Sequence, residues 1–311
     1  MALDHVNVYV IDEGDSWTII DTGFWSKKTQ SIWSDIKEKW FSDKPIGKVI
    51  VTHHHPDHVG LAGWVQKEFK AELWMSRTAW LMARMLRLDY QKLPTEETIN
   101  FWRRAGMDDL ILNERATGKP FNFGDSVHEM PLGFRRIIDG EKIILGNRSW
   151  IVRVGNGHAP EHLTLWCEDE PIVIAGDQII SSISPNLGVY ATEPEADPVQ
   201  EWLMSCEAFL PFADDKQLVL PGHKLPFYGL PHRLKQLIEN HHSALKRLVA
   251  FLKEPQTAVD CFPVLFNRKI SDNEYGLALV EAVAHLNHLY RKKIVKRELN
   301  SKGAYVYTLK N

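Results

Sequence analysis

Near the start of the chain Val6, Val8 and Val10 alternate with other positions, the period of two that marks a half-buried strand. Glu13-Gly14-Asp15 supplies a turn, and residues 17–20 read as a returning strand that ends at Asp21-Thr22-Gly23. Ser26 then stands where a cap belongs, before a helix whose apolar face is Ile32, Trp33, Ile36 and Trp40. A β-branched run at 49–52 predicts another strand, 61–69 has helical spacing, and 73–75 is apolar again. Residues 76–120 break this rhythm. They are rich in Leu, Met, Trp and Arg, with Trp80, Met82, Met85, Leu86 and Leu88 at helical spacing, and read as a helical insertion. Strand patterns resume at 142–145, 150–154, 163–167, 172–175 and 217–220, with a helix over about 197–210. Strands interleaved with helices predict an α/β class.

The pattern changes near residue 226. An amphipathic helix covers 233–253, two more cover 257–266 and 275–290, and 294–299 with 304–309 form a hairpin around Ser301-Lys302-Gly303. Helix, helix, helix, hairpin is the order of a winged-helix module. The chain therefore divides into a domain at 1–225, with 76–120 as an insertion or lid, and a winged-helix-like domain at 226–311.

Composition narrows the class. Charged residues are 25% and apolar residues 44% of the chain, which excludes disorder and coiled coil. The longest apolar runs, such as 79–83 and 248–252, fall far short of the ~18 residues of a membrane span. The beginning of the chain has neither a basic stretch nor a long apolar core, so the expected location is cytoplasmic, with no membrane partner. Cys167, Cys206 and Cys261 are too few and too scattered for a disulfide framework or a zinc finger. The net charge of −3 argues against a dominant polyanion partner.

The 14 histidines are unusual, and their spacing matters more than their number. His53-His54-His55-Pro56-Asp57-His58 follows the 49–52 strand, at a strand end, where α/β folds place reactive groups. His53 and His55 can face one ion, and Asp57 with His58, past the proline, a second beside it. Four ligand-capable groups in six residues would be a repulsive liability without a cation. Other strand ends offer the remaining ligands: His158 within Gly157–His162, Asp177 after Gly176, and His223 after Gly222. Imidazole and carboxylate without cysteine suit zinc, with iron or manganese as alternatives.

With these residues in order, the chain resembles the metallo-β-lactamase superfamily, whose αββα sandwich the fold is expected to share over about residues 1–225. The resemblance implies that His53, His55 and His158 bind one metal, that Asp57, His58 and His223 bind the other, and that Asp177 bridges both. It also implies that Asp21, in its Asp-Thr-Gly turn, orients the ligands. The tail resembles the winged-helix domain appended to a subset of the superfamily that includes hydrolases and endoribonucleases. His55 stands where flavodiiron proteins carry Glu, and no flavodoxin-like or long nuclease-type insertion is visible. Glyoxalase II-like thioesterases, lactonases and the winged-helix subset fit best.

The expected chemistry is a dinuclear metal-dependent hydrolysis in which a metal-bridging hydroxide attacks a carbonyl carbon, with Asp57 and Asp177 as the catalytic carboxylates. Small thioesters or lactones are the first expectation and β-lactam-type amides an alternative. Arg84 and Arg87 of the insertion are candidates to clamp an anionic substrate, and Tyr190 to line its wall. A nucleic-acid processing activity is the other alternative. After residue 290 the tail carries Arg291, Lys292, Lys293, Lys296, Arg297, Lys302 and Lys310 against Glu298 alone. Such a surface suits phosphate contacts, although a wing also serves as a homodimer surface or a pocket wall. His54 and His162 are expected outside the ligand set, and the tail histidines are expected to be solvated or packed in the core.

Overall fold

The computed structural model describes residues 5–41 and 44–310. The first four residues, on which the expected cytoplasmic location rests in part, lie outside them. Strands β1 (Tyr9–Asp12) and β2 (Trp17–Ile20) form an antiparallel hairpin, with Tyr9 opposite Ile20. The period of two holds, but the buried phase is the other one. Tyr9 and Ile11 pack inward while Val10 is exposed, and the Tyr9 hydroxyl donates to Pro221 O at 2.7 Å.

Helix α1 (Lys27–Trp40) starts where expected, with Ser26 Oγ accepting from Thr29 N. Only Trp33 of its predicted apolar face is fully buried, and its indole donates to Thr22 O; Ile32 and Trp40 face outward. Strands β3 (Ile46–Ile50) and β4 (Glu72–Met75) run parallel to β2, and the short β5 (Arg135–Arg136) closes the order β1-β2-β3-β4-β5. Between β3 and β4 lie α2 (Pro56–Val59) and α3 (Ala62–Phe69).

The second sheet follows β6 (Lys142–Leu145), β7 (Arg148–Gly155), β8 (His162–Cys167), β9 (Ile172–Gly176) and, beyond helix α7 (Pro198–Phe209), β10 (Leu218–Pro221). Its order is β10-β9-β8-β7-β6. Alternation sorts side chains to the two faces of the first sheet. Ile20, Ile50 and Trp74 meet Leu145, Trp150, Leu163, Leu165 and Ile174 of the second sheet in a shared inner core. Ile19, Val49 and Leu73 face the outer layer with Trp33, Val65 and Ala79. Helix layers thus cover both outer faces of a two-sheet sandwich.

The insertion is helical: α4 (Arg77–Leu88), α5 (Glu96–Arg104) and α6 (Asp109–Thr117). Helix α4 covers the first sheet through Ala79 and Ala83. Phe101, Ala105, Met107 and Leu112 of the α5–α6 segment instead join the core of the C-terminal region, so Phe101 is a packing residue. That region consists of α8 (Leu230–Phe251), α9 (Phe262–Phe266), α10 (Tyr275–Arg291) and the hairpin β11 (Val295–Leu299) and β12 (Tyr305–Leu309). The helix read over 257–266 shrinks to α9. One core joins α8 and α10 to α7 and to Trp166, Val173 and Val219 on the outer face of the second sheet. No helix of the described residues is long and apolar enough to cross a membrane.

Candidate metal centre

The centre lies where four strand ends converge. Beyond β3 the chain stays buried through Thr52, His53 and His54, and α2 begins at Pro56 with a fixed φ suited to a first turn. His53 and His55 project from the extended part and Asp57 and His58 from the helical turn. His158 comes from the loop after β7, Asp177 directly follows β9 and His223 follows β10. All seven residues expected as ligands are brought together. His53, His55 and His158 form one group that could hold an ion, Asp57, His58 and His223 another, and Asp177 with His53 and His58 a third.

The distances make this specific. His55 Nδ1 lies 3.0 Å from His53 Nε2 and 3.1 Å from His158 Nε2. His223 Nε2 lies 3.1 Å from Asp57 Oδ2, and His58 Nε2 3.8 Å from the same oxygen. Asp177 stands between the triads. Its Oδ1 is 3.4 Å from His58 Nε2, and its Oδ2 is 3.6 Å from His158 Nε2 and 3.3 Å from His223 Nε2.

Hydrogen bonds on the far side of the rings fix which nitrogen points inward. His58 Nδ1 donates to Asp21 Oδ2 at 2.8 Å, His158 Nδ1 to Asn186 O at 2.9 Å, and His223 Nδ1 to His5 O at 2.6 Å. Carboxylate and carbonyl oxygens only accept, so Nδ1 carries the hydrogen and Nε2 of the neutral ring is a lone pair. Thr52 Oγ1 donates to Asp21 Oδ2 and therefore accepts from His53 Nδ1 at 3.0 Å, with the same result. Asp21 thus orients two of the candidate ligands, one directly and one through Thr52, and also accepts from Thr52 N. It does so with a left-handed backbone, φ 62°, a strained conformation for a residue with a Cβ.

These residues fit a metal. His58 Nε2, His223 Nε2 and Asp177 Oδ1 are buried without a hydrogen-bond partner, a costly state unless a cation satisfies them. Asp57 and Asp177 crowd both of these imidazoles, and Asp21 adds a third carboxylate beside His58. Burial opposes charge on His58, but Asp177, Asp21 and Asp57 outweigh it and raise its pKa well above the usual range. His223 rises to about 9, since the adjacent Asp177 and Asp57 carboxylates overcome its burial. His53 and His55 go the other way, first through burial and then through neighbouring imidazoles. His158 is also lowered by burial, with Asp177 opposing. One side of the centre is a neutral nitrogen donor set and the other draws in positive charge, a role a divalent cation fills by displacing protons.

Two glycines allow the close approach. A Cβ on Gly222 would collide with Asp177 Oδ1 and lie 2.7 Å from His58 Cε1. One on Gly176 would lie 2.6 Å from His162 Cε1.

Three contributors were not read as such from the sequence. Thr52 carries only the positional signal of preceding the motif. Asn186 and His5 act through backbone carbonyls, which no side-chain pattern reveals. His162, expected outside the ligand set, accepts from Asp177 N at 3.1 Å and stacks on His53; it holds the backbone of one candidate ligand and the ring of another. His54 is buried beside His55 but presents its Nδ1 to no partner. Arg84 and Arg87 make their contacts elsewhere. Arg84 donates to Met130 O and lies over Trp80, and Arg87 lies against Trp25. Tyr190 is half exposed in the segment after Asp177.

Comparison with known proteins identifies the fold family. The chain is 24% identical over 320 residues to a protein of Bacillus subtilis (strain 168) described as "Probable metallo-hydrolase YqjP", covering 99% of this chain and 95% of that one. Its fold superposes with a TM-score of 0.90 on the crystal structure of a beta-lactamase domain protein from Burkholderia ambifaria, 31% identical, over 100% of this chain and 90% of that one. A metallo-beta-lactamase family protein from Thermus thermophilus gives a TM-score of 0.80 at 24% identity, over 98% and 94% of the two chains. The profile of a metallo-beta-lactamase-like C-terminal domain matches residues 245–310. Residues 1–223, which carry all seven of the converging side chains and Asp21, match the profile of the metallo-beta-lactamase superfamily, and the chain belongs to that superfamily.

Proposed function

We propose that the chain is a metal-dependent hydrolase whose two triads hold two divalent ions, and that it cleaves small thioesters, with lactones next. The observation that carries this reading is the place of Asp177, whose two oxygens lie within 3.6 Å of members of both triads. The all-nitrogen-and-oxygen donor set suits zinc, with iron or manganese as alternatives. Ions held there would acidify a water and polarise a carbonyl.

The chain's own residues do the rest. Asp21, Thr52, Asn186 O and His5 O lock the ring orientations so that the lone pairs are set before substrate arrives. Asp57 is the most accessible carboxylate, with its side chain 19% exposed against 7% for Asp177 and 3% for Asp21. It is therefore the one placed to take or return a proton on the open side. The Nδ1 hydrogens of His53, His58, His158 and His223 are already committed to protein acceptors, so these rings offer an incoming substrate no spare donor. A leaving group that departs as a stable anion, such as a thiolate, suits such a site better than an amine.

The second reading, a metal-dependent endoribonuclease, rests on the basic C-terminal segment and a winged-helix use of α8–α10 with β11–β12. It is weakened by the commitments of those cations. Arg297 pairs with Glu195, Arg291 donates to Glu195 O, and Lys296 pairs with Glu298.

Metal analysis of the purified chain, with turnover assays on an acyl thioester, a lactone, a β-lactam and an RNA, tests the reading. Two metal equivalents with thioester or lactone turnover are expected. A metal-loaded chain that cleaves RNA and none of the carbonyl substrates overturns it in favour of the nuclease.

A further inference from the structure

Residues 178–197 run from Asp177 to the cap of α7 with no helix or strand among them. A 20-residue irregular segment beside a metal site would be mobile on its own. The C-terminal region holds it along its whole length. Buried Arg233 of α8 donates to Ile180 O and Ile183 O, each at 2.7 Å. Val280 O of α10 accepts from Val189 N at 3.1 Å. Asn287 donates to Pro194 O at 2.9 Å and Ala196 O at 3.0 Å, and His288 pairs with Asp197 at 3.0 Å. Leu187 and Val189 are buried in the core that α8 and α10 share.

At the centre of this segment is Asn186. Its backbone carbonyl accepts from His158 Nδ1 at 2.9 Å. Its side-chain Nδ2 donates to Glu281 Oε2 at 2.7 Å and to Leu277 O at 3.2 Å, both on α10. With its amide held at two points, Asn186 has little freedom to turn its carbonyl away from His158.

We propose that the C-terminal region is part of the metal centre's framework, and that Glu281 is a positioning residue which, through Asn186, sets the orientation of the His158 ring. The link is a relay of contacts: Glu281 carboxylate, Asn186 amide, Asn186 carbonyl, His158 Nδ1, and thereby the Nε2 lone pair facing His55 and Asp177. This rests on the reading of His158 as a metal ligand.

The experiment measures affinity for Zn²⁺ by chelator competition in the full-length chain, using Glu281→Ala, Glu281→Gln, Asn186→Ala, the double variant Asn186→Ala/Glu281→Ala, and His158→Ala, with far-UV circular dichroism to confirm folding. Partners that orient metal ligands typically contribute 10–100-fold in affinity. Because Glu281 acts one residue further out, Glu281→Ala is expected to weaken the site that contains His158 about 10-fold. Glu281→Gln keeps an acceptor oxygen for Asn186 and is expected to restore affinity to near the wild-type value. The double variant is expected to be no worse than either single change, since both cut the same relay. Wild-type affinity in Glu281→Ala, or additive losses in the double variant, overturns the positioning role. If Glu281→Ala does not fold, Asn186→Ala and Glu281→Gln decide alone: unchanged affinity in Asn186→Ala, or loss in Glu281→Gln equal to that in Asn186→Ala, overturns it. His158→Ala tests the underlying reading separately, because unchanged zinc affinity there removes His158 from the ligand set whatever Glu281 does.

Discussion

Asp21 Oδ2 lies 2.8 Å from His58 Nδ1, and Asp21 holds that place with a left-handed backbone. The conformation costs on the order of 1–3 kcal/mol in a residue with a side chain, and here it turns one carboxylate toward His58, Thr52 N and Thr52 Oγ1 together. Asp21→Asn keeps the shape and tolerates the backbone, but removes the charge and replaces an acceptor with an amide. The expected result is a folded chain whose affinity for zinc, read by chelator competition, falls about 10–100-fold. Unchanged affinity would reduce Asp21 to a residue of the turn.

Gly222 has no room for a methyl group, since one there would strike Asp177 Oδ1 and crowd His58. Asp177 is set by the end of β9 and His58 by α2, and neither can retreat without disturbing the centre. Gly222→Ala should lower kcat on the order of 100-fold, because displacement of about 1 Å at a reacting centre costs that much. Gly133→Ala is the control, since nothing lies within 4 Å of its added carbon. Equal activities of the two variants would contradict the crowding argument.

Removing the metal should make stability depend on pH in a definite direction. In the metal-free chain His58 and His223 have raised pKa values, His223 to about 9. A raised folded-state pKa means the contribution is fully present below the unfolded value near 6.5 and is lost as pH climbs through the folded value. Thermal unfolding with a chelator should therefore show a midpoint that falls between pH 6.5 and 9. A chain loaded with divalent metal should lack this fall, since cations at the centre would replace the protons. A flat profile for the metal-free chain would show that the carboxylates do not hold these protons.

Much of this centre was legible in the sequence because ligand atoms reside on side chains, and side-chain types are what a sequence states. His53, His55, Asp57, His58, His158, Asp177 and His223 could each be read from a polar residue at the end of an apolar run. What escaped was backbone. The carbonyls of Asn186 and His5 orient the His158 and His223 rings and could belong to any residue type. The α1 face was misjudged at Ile32 and Trp40 for a related reason: helical spacing shows that a face is apolar, but not how wide a strip the sheet covers. The bond from α10 to Asn186 joins residues 95 positions apart, and no local pattern predicts it.

Glu281 supplies the last prediction. Burial pushes its carboxyl up to about 7, against the Asn186 hydrogen bond and the Arg268 charge that favour ionisation. Tyr190, whose hydroxyl feels the Glu281 charge, offers no compensating charge of its own, and nearby His241 and His285 are themselves held neutral by burial, with pKa values lowered to about 3 and about 4. A raised carboxyl pKa makes the folded state bind the extra proton. The contribution is fully present below the unfolded value of 4.5 and is lost as pH rises through about 7. Glu281→Gln mimics the protonated form at every pH. It should match the wild type in stability at pH 5 and exceed it at pH 8 by about 1–2 kcal/mol, which discounts the full shift for partial exposure. Denaturant unfolding at the two pH values measures this directly. A Gln variant that is less stable than wild type at pH 8 would mean that the carboxylate is welcome where it lies, held by Arg268 and Asn186 more strongly than burial opposes it.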